Sequence, residues 1–302
     1  MKNSVVLLGM FLLFIACNSG PKTPEKQILQ GGALGTTYGI SYISKTPLLT
    51  RAAMDSLLQV VNQSMSTYWP DSDISRINRG DSAVIVEPMF REVFELSGLV
   101  YKASGGYFDP TVGPLVNAWG FGPEKALELT PDRVDSLMAY VGFSKVSLLP
   151  SGKIEKNDPA IYFDFNAIAK GYSVDVISRF LSINNITNYL VEVGGEIRSS
   201  GMNLDGNKNW RVGLDTPRFD GLQRDLYKIF NLKDKSMATS GVYRKFKIDS
   251  SGNKYAHIID PKTGYSSTSN ILSVTVISED CIEADAYATV LQLMSVDEIT
   301  LL

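Results

Sequence analysis

The order in which hydrophobic periodicities follow one another limits the fold of this chain more than any other feature. Helical spacing dominates the first half, strand runs dominate the second, and one apolar helix comes near the end. Met54, Leu57, Leu58, Val61 and Met65 recur at helical spacing, with Pro47 near the helix start. Asp73 can cap a short helix from Ile74 to Arg79. Pro88 opens a helix carrying Phe90, Val93, Phe94, Leu99 and Val100, which Gly105-Gly106 ends, and Thr130-Pro131-Asp132 starts another. Strands are expected over 34–43, 84–86 and 161–165, the last leading into a helix from Ala167 to Leu181. Beyond these, strands are expected over 189–193, 210–214, 227–232, 242–248, 256–259 and 271–277, and a helix over 284–294. Strands mixed irregularly with helices do not fit a regular βαβ array and indicate an α+β fold. At 302 residues and 44% hydrophobic, the chain has apolar material for one large domain or two closely packed lobes.

The N-terminus departs from this globular pattern. Met1-Lys2-Asn3 is a short basic start, and Val5 to Ala16 is an apolar stretch ending at Cys17. The stretch is shorter than the ~20 residues a membrane-spanning helix needs, but it suits a signal-peptide core. Phe14-Ile15-Ala16-Cys17 is similar to a lipoprotein signal, in which Cys17 is acylated and becomes the first residue; a plain secretory peptide is the alternative. The expected organisation is a signal over 1–17, a flexible tether over 18–30 and a single domain over 31–302. Cys281 is the one other cysteine, so a lipidated Cys17 leaves no intrachain disulfide, and Cys281 reads as a small buried hydrophobe. No run of Lys and Arg supplies a nucleic-acid footprint, and the net charge of −3 specifies no partner.

Candidate chemistry starts from a shortage: His257 is the only histidine, so any imidazole base must be this one. It lies in Tyr255-Ala256-His257-Ile258-Ile259-Asp260-Pro261, read as a strand running into a turn. Asp285 and Thr289 stand four residues apart on the last helix, which places a carboxylate and a hydroxyl on one face. Such hard oxygen donors suit Mg²⁺ better than zinc, though a capping Asp and a back-bonding Thr give the same pattern. Gly194-Gly195 and the turn Ala167-Ile168-Ala169-Lys170-Gly171 can present backbone N–H groups to phosphate. Neither matches a dinucleotide fingerprint or a P-loop. Tyr68 and Trp69 project from a polar loop, where they could stack on a planar ligand or simply sit at the surface.

Taken together and in order, these segments resemble the ApbE family of FAD:protein FMN transferases. The resemblance is carried by Leu34-Gly35-Thr36-Thr37-Tyr38, by Met65-Ser66-Thr67-Tyr68-Trp69-Pro70-Asp71-Ser72-Asp73, and by Gly106-Tyr107-Phe108-Asp109-Pro110-Thr111. It continues through Asp164-Phe165-Asn166-Ala167-Ile168-Ala169-Lys170-Gly171, Glu192-Val193-Gly194-Gly195-Glu196, Ala238-Thr239-Ser240-Gly241, His257-Ile258-Ile259-Asp260-Pro261 and Ala284-Asp285-Ala286-Tyr287-Ala288-Thr289. The resemblance implies a two-lobed α+β fold, mixed sheets with packed helices, and FAD held in the cleft as substrate.

It further implies Mg²⁺ held by Asp285, Thr289 and the Ala167 carbonyl, with Tyr68 against the isoalloxazine ring and Glu192, Gly194 and Gly195 along the adenosine-diphosphate portion. Asp260 is expected near the flavin, and Leu34, Asp109 and Lys170 belong to the expected cofactor-binding set; Leu34 stands where the family more often has Met. His257 would take the proton of a Thr or Ser hydroxyl as it attacks the FMN phosphorus, releasing AMP. Attack by water would make the protein an FAD pyrophosphatase, and a flavin-binding lipoprotein without chemistry is a third reading. The implied acceptors are exported or membrane-exposed proteins, such as subunits of NADH:quinone or ferredoxin-type reductases, met at the periplasmic face of a bacterial membrane. The family commonly continues past the metal helix with another helix and a closing strand, whereas Leu302 follows soon after it here, so either this member is short or the sequence is a truncated version.

Overall fold

The computed structural model describes residues 23–204, 207–218, 225–243, 245–248, 252 and 254–301. The expected signal segment and Cys17 lie outside them. Strands β1 (Glu25–Ala33) and β2 (Thr36–Ser44) form a hairpin whose register runs from Glu25 opposite Ser44 to Ala33 opposite Thr36. Leu34 and Gly35 make its two-residue turn with φ of 54° and 70°, the left-handed pair that matches strand twist. The tether expected to reach residue 30 is therefore shorter, because Glu25–Gln30 are already paired. Pairing with β2, not side-chain propensity, makes this polar stretch a strand.

Helix α1 (Arg51–Met65) starts at Thr50, whose hydroxyl accepts from the Ala53 N–H, and buries Met54, Leu58, Val61 and Met65. Helix α2 (Asp73–Asn78) is capped by Ser72 rather than Asp73: the Ser72 hydroxyl accepts from Ser75 N–H and donates to the Ser66 carbonyl. Helices α3 (Pro88–Ala103), α4 (Gly113–Ala118) and α5 (Pro131–Met138) follow, the last capped by Thr130. Residues 84–86 form no strand; Val84 and Val86 are buried, and the Val86 N–H bonds only the Gly152 carbonyl. Strands β3 (Val146–Leu148) and β4 (Ile154–Lys156) make a small hairpin.

The strand expected over 161–165 is also absent, apart from a parallel bridge between Val112 and Tyr162. A side chain replaces the neighbouring strand: Asn78 Nδ2 donates to the Phe163 carbonyl, and its Oδ1 accepts from the Phe163 N–H. Backbone groups satisfied this way need no ladder.

Helix α6 (Ala169–Ile183) leads to β5 (Tyr189–Val193) and β6 (Glu196–Ser200), then to the hairpin of β7 (Trp210–Asp215) and β8 (Leu226–Leu232). Strand β9 (Ser236–Gly241), not expected from its composition, pairs with β6 and with β12 (Ser273–Ser278). The strands expected over 242–248 and 256–259 shrink to β10 (Phe246–Ile248) and β11 (Lys254–Ala256), so His257 falls just past a strand. Helices α7 (Cys281–Leu293) and α8 (Val296–Ile299) complete the described chain.

The main sheet has the order β1-β2-β5-β6-β9-β12, and each of its ladders is antiparallel. One core lies between this sheet and helices α1 and α6, with Tyr38, Ile40, Leu58, Val174, Ile177 and Val191. A second joins α3 to α6 and α7 through Phe90, Phe94, Phe163, Phe165, Tyr172 and Val290. The α6–α7 pair is tied at one end by Asp175, which is fully buried. It accepts from the Cys281 and Ile282 N–H groups at the start of α7 and from Arg198 Nη1 on β6 at 2.5 Å. Asp175 thereby caps α7, whose own N-cap residue Asp280 makes no side-chain cap bond. Cys281 is buried, and its thiol reaches the Ile197 carbonyl at 3.5 Å.

Candidate active site

Where α6, α7 and the strand ends meet, a cavity of about 660 Å³ opens. Its walls include the β1–β2 tip, the loop after α1, the turn before α6, the end of β9 and the segment after β11. Leu34, Tyr68, Asp109, Ala167, Lys170, Gly194, His257, Asp285 and Thr289 all border it, so most of the expected site residues, more than two hundred positions apart at the extremes, are brought together. Glu192, Gly195 and Asp260 do not border it.

The first turn of helix α6 matters for the oxygen donors. Gly171 is the third residue of the helix, so its N–H is one of the first-turn donors that have no intrahelical acceptor. Here it donates to Asp285 Oδ2 at 2.9 Å, and among the described residues no hydrogen bond reaches the Ala167 carbonyl. Gly171 is required at this point: a Cβ there would stand 2.3 Å from the Cys281 carbonyl oxygen and 2.7 Å from Asp285 Cβ. The close approach brings Asp285 over the start of α6. One turn on, Thr289 Oγ1 lies 3.4 Å from the Asp285 carbonyl and 3.3 Å from Ser240 Oγ. A carboxylate, a hydroxyl and a carbonyl without a partner are a hard-oxygen set of the kind Mg²⁺ takes. Among the described residues no three His, Cys, Asp or Glu side chains cluster as a metal site, so an ion here would draw on this mixed set.

Lys170 and Glu196 stand beside it. Lys170 Nζ lies 2.7 Å from Glu196 Oε1 and 3.6 Å from Asp285 Oδ1. Burial works against the lysine charge, but Asp285 and Glu196 more than offset this and raise its pKa. Burial raises the pKa of Asp285 and of Glu196, with Lys170 opposing. Gly194 makes room for the lysine stem, since a Cβ there would lie 3.2 Å from Lys170 Cδ.

His257 borders the same cavity. Its Nδ1 lies 3.0 Å from the Lys245 carbonyl, which can only accept, so Nδ1 carries the proton and Nε2 the lone pair. Burial brings its pKa down from 6.5 to about 4; the Lys245 carbonyl opposes this, and the Lys245 and Lys170 charges add to it. The imidazole is thus neutral at physiological pH and able to accept a proton.

The remaining residues fall into two groups. Tyr68, 56% exposed, donates from its hydroxyl to the Phe121 carbonyl at 2.9 Å, which fixes its ring at the cavity mouth. Leu34 reaches the cavity from the left-handed position of the hairpin tip. Asp109 is committed to loop architecture: its carboxylate accepts from Thr111 N–H, Thr111 Oγ1 and Phe143 N–H. Burial raises its pKa against those three bonds. Glu192 Oε1 accepts from Gly195 N–H at 2.6 Å and so braces the β5–β6 turn. Asp260 Oδ1 accepts from Lys262 N–H in the turn after β11.

Two buried acids at the cavity received no role from the sequence. Asp164 accepts from Asn166 N–H, and burial raises its pKa; Glu196 is the Lys170 partner. Both lie in the family-like segments quoted above, and only burial separates them from ordinary surface acids.

A sequence profile of the ApbE family matches residues 34–302. A protein of Vibrio cholerae named FAD:protein FMN transferase is 38% identical over 306 residues, covering 97% of this chain and 88% of the relative. A protein of Haemophilus influenzae with the same name is 35% identical, covering 98% and 88%. The solved flavin transferase ApbE of Vibrio cholerae superposes with a TM-score of 0.80 at 35% identity, covering 92% of this chain and 90% of that one.

Proposed function

The chain belongs to the ApbE family, and from that membership we propose that it is an FAD:protein FMN transferase. In this reading it moves the FMN half of FAD to a Thr or Ser hydroxyl of another protein and releases AMP. One observation carries the reading: the only imidazole of the chain, neutral and with Nε2 as acceptor, borders the same cavity as the Ala167, Asp285 and Thr289 oxygens. A binding protein needs no such base.

FAD enters with its pyrophosphate toward those oxygens and its ring toward Tyr68. Ala167, Asp285 and Thr289 would hold Mg²⁺, which when bound offsets charge on the pyrophosphate and makes AMP a better leaving group. Lys170 adds a second positive charge on the same side. His257 Nε2 removes the hydroxyl proton as the oxygen attacks the FMN phosphorus. The new phosphoester bond forms as the bond to the AMP oxygen breaks, and the proton leaves on His257.

Lipidation of Cys17 would hold the domain at the periplasmic face of a bacterial membrane. Its acceptors would then be exported or membrane-exposed proteins, such as subunits of NADH:quinone or ferredoxin-type reductases.

The test incubates the purified protein with FAD, Mg²⁺ and a Thr-bearing acceptor domain, followed by fluorescence of the denatured gel and AMP quantitation. A fluorescent acceptor band with equimolar AMP is expected, and His257→Ala should remove both while retaining FAD. AMP with free FMN and no labelled acceptor, across several acceptors, would identify hydrolysis instead. An active His257→Ala protein would remove the base assignment.

A further inference from the structure

Lys170 creates a problem for the proposed cation site, and the structure contains an answer to it. An ammonium 3.6 Å from Asp285 Oδ1 competes with a dication for that carboxylate and repels it. The same ammonium sits closer to Glu196 Oε1, at 2.7 Å. The Glu196 side chain is only 3% exposed, and its second oxygen, Oε2, is buried with no hydrogen-bond partner although the residue borders the cavity. A buried carboxylate oxygen without a donor is costly unless a ligand supplies one.

Building on the cation reading above, we propose that Glu196 is a positioning residue for the ion. It draws Lys170 away from Asp285 and balances the lysine charge, so that ammonium and dication can share one corner of the cavity. Without Glu196, Lys170 has Asp285 as its remaining carboxylate partner in this cluster and closes the site. The charge count expresses the same logic. With Glu196 present, the three side chains sum to one negative charge; with Gln in its place they sum to zero.

The experiment measures Mn²⁺ binding to the purified protein without FAD, by the loss of the free-ion EPR signal. It compares the unaltered protein with Asp285→Ala, Glu196→Gln, Lys170→Met and the double variant Lys170→Met/Glu196→Gln. Asp285→Ala should abolish binding. Glu196→Gln should weaken it on the order of 10-fold or more, in the range seen when residues behind metal ligands are removed. The double variant should regain most of that loss, because removing the lysine removes the need for its counter-charge; a merely structural role for Glu196 would show no such rescue. Thermal unfolding confirms that each variant is folded, and the equally neutral Glu196→Ala replaces Glu196→Gln if the latter is not. Binding by Glu196→Gln equal to the unaltered protein, or no recovery in the double variant, overturns the proposal. No Mn²⁺ binding by the unaltered protein, or full binding by Asp285→Ala, overturns the cation reading and this proposal together.

Discussion

Adding one methyl group at Gly171 tests whether the close approach of α6 and α7 builds the site. The new Cβ would stand 2.3 Å from the Cys281 carbonyl oxygen, 2.8 Å from the carbonyl carbon and 2.7 Å from Asp285 Cβ. Two of these atoms are backbone, so no side-chain rotation relieves the clash. Ordinary contact begins near 3.4 Å, which requires the helices to part by roughly 1 Å. Overpacking of this kind costs about 1–3 kcal/mol. For a domain of this size that corresponds to a drop in Tm of roughly 2–10 °C. The same displacement lengthens the bond from Gly171 N–H to Asp285 Oδ2, now 2.9 Å, and moves Asp285 away from the start of α6. Differential scanning fluorimetry should therefore show Gly171→Ala less stable, and Mn²⁺ titration should show its affinity lowered on the order of 10-fold. A variant with unchanged Tm and unchanged Mn²⁺ affinity would refute the argument that this contact sets the spacing of the oxygen donors.

Two further outcomes are expected. Because burial lowers the His257 pKa to about 4, the imidazole is deprotonated at neutral pH and becomes protonated only as pH falls toward that value. With His257 in the proposed role of base, the acid limb of kcat/KM should lie near pH 4 rather than near 6.5, and a limb at 6.5 in the free enzyme would contradict the buried setting. Asp175→Ala strips the cap from α7 and one partner from Arg198, whose other carboxylate, Asp280, remains. Breaking a buried pair of this kind costs about 3–5 kcal/mol, so urea unfolding should show a loss toward the lower end, and a loss under about 1 kcal/mol would mean that the cap is dispensable.

Elements with a repeating apolar face are legible in the sequence: α1, α3, α5 and α7 are found close to their expected places, as are β5, β7, β8 and β12. What escapes it depends on partners far along the chain. Ser236–Gly241 reads Ser-Met-Ala-Thr-Ser-Gly and becomes a strand only because β6 and β12 flank it. The segment 161–165 has strand composition, yet Asn78 satisfies its backbone. At the site, the spacing of Asp285 and Thr289 makes their shared face readable from residue types. The availability of the Ala167 carbonyl is not readable in that way, since it depends on the helix starting only at Ala169. Only the family resemblance indicated it. Glu196 and Asp164 are ordinary acids by composition, and their burial at the cavity appears only when the chain is folded.

Leu34 has a consequence for anyone seeking to make this protein more robust. A non-glycine residue held at a φ of 54° lies in a sparsely populated backbone region that costs of order 1–3 kcal/mol. A screen for heat resistance would be expected to favour Gly or Asn at this hairpin tip, as such substitutions commonly raise Tm. The same exchange would remove an apolar side chain from the rim of the cavity. At position 34, resistance to heat and retention of the cavity wall are opposing selections, and a thermostability programme would do well to leave this one residue untouched.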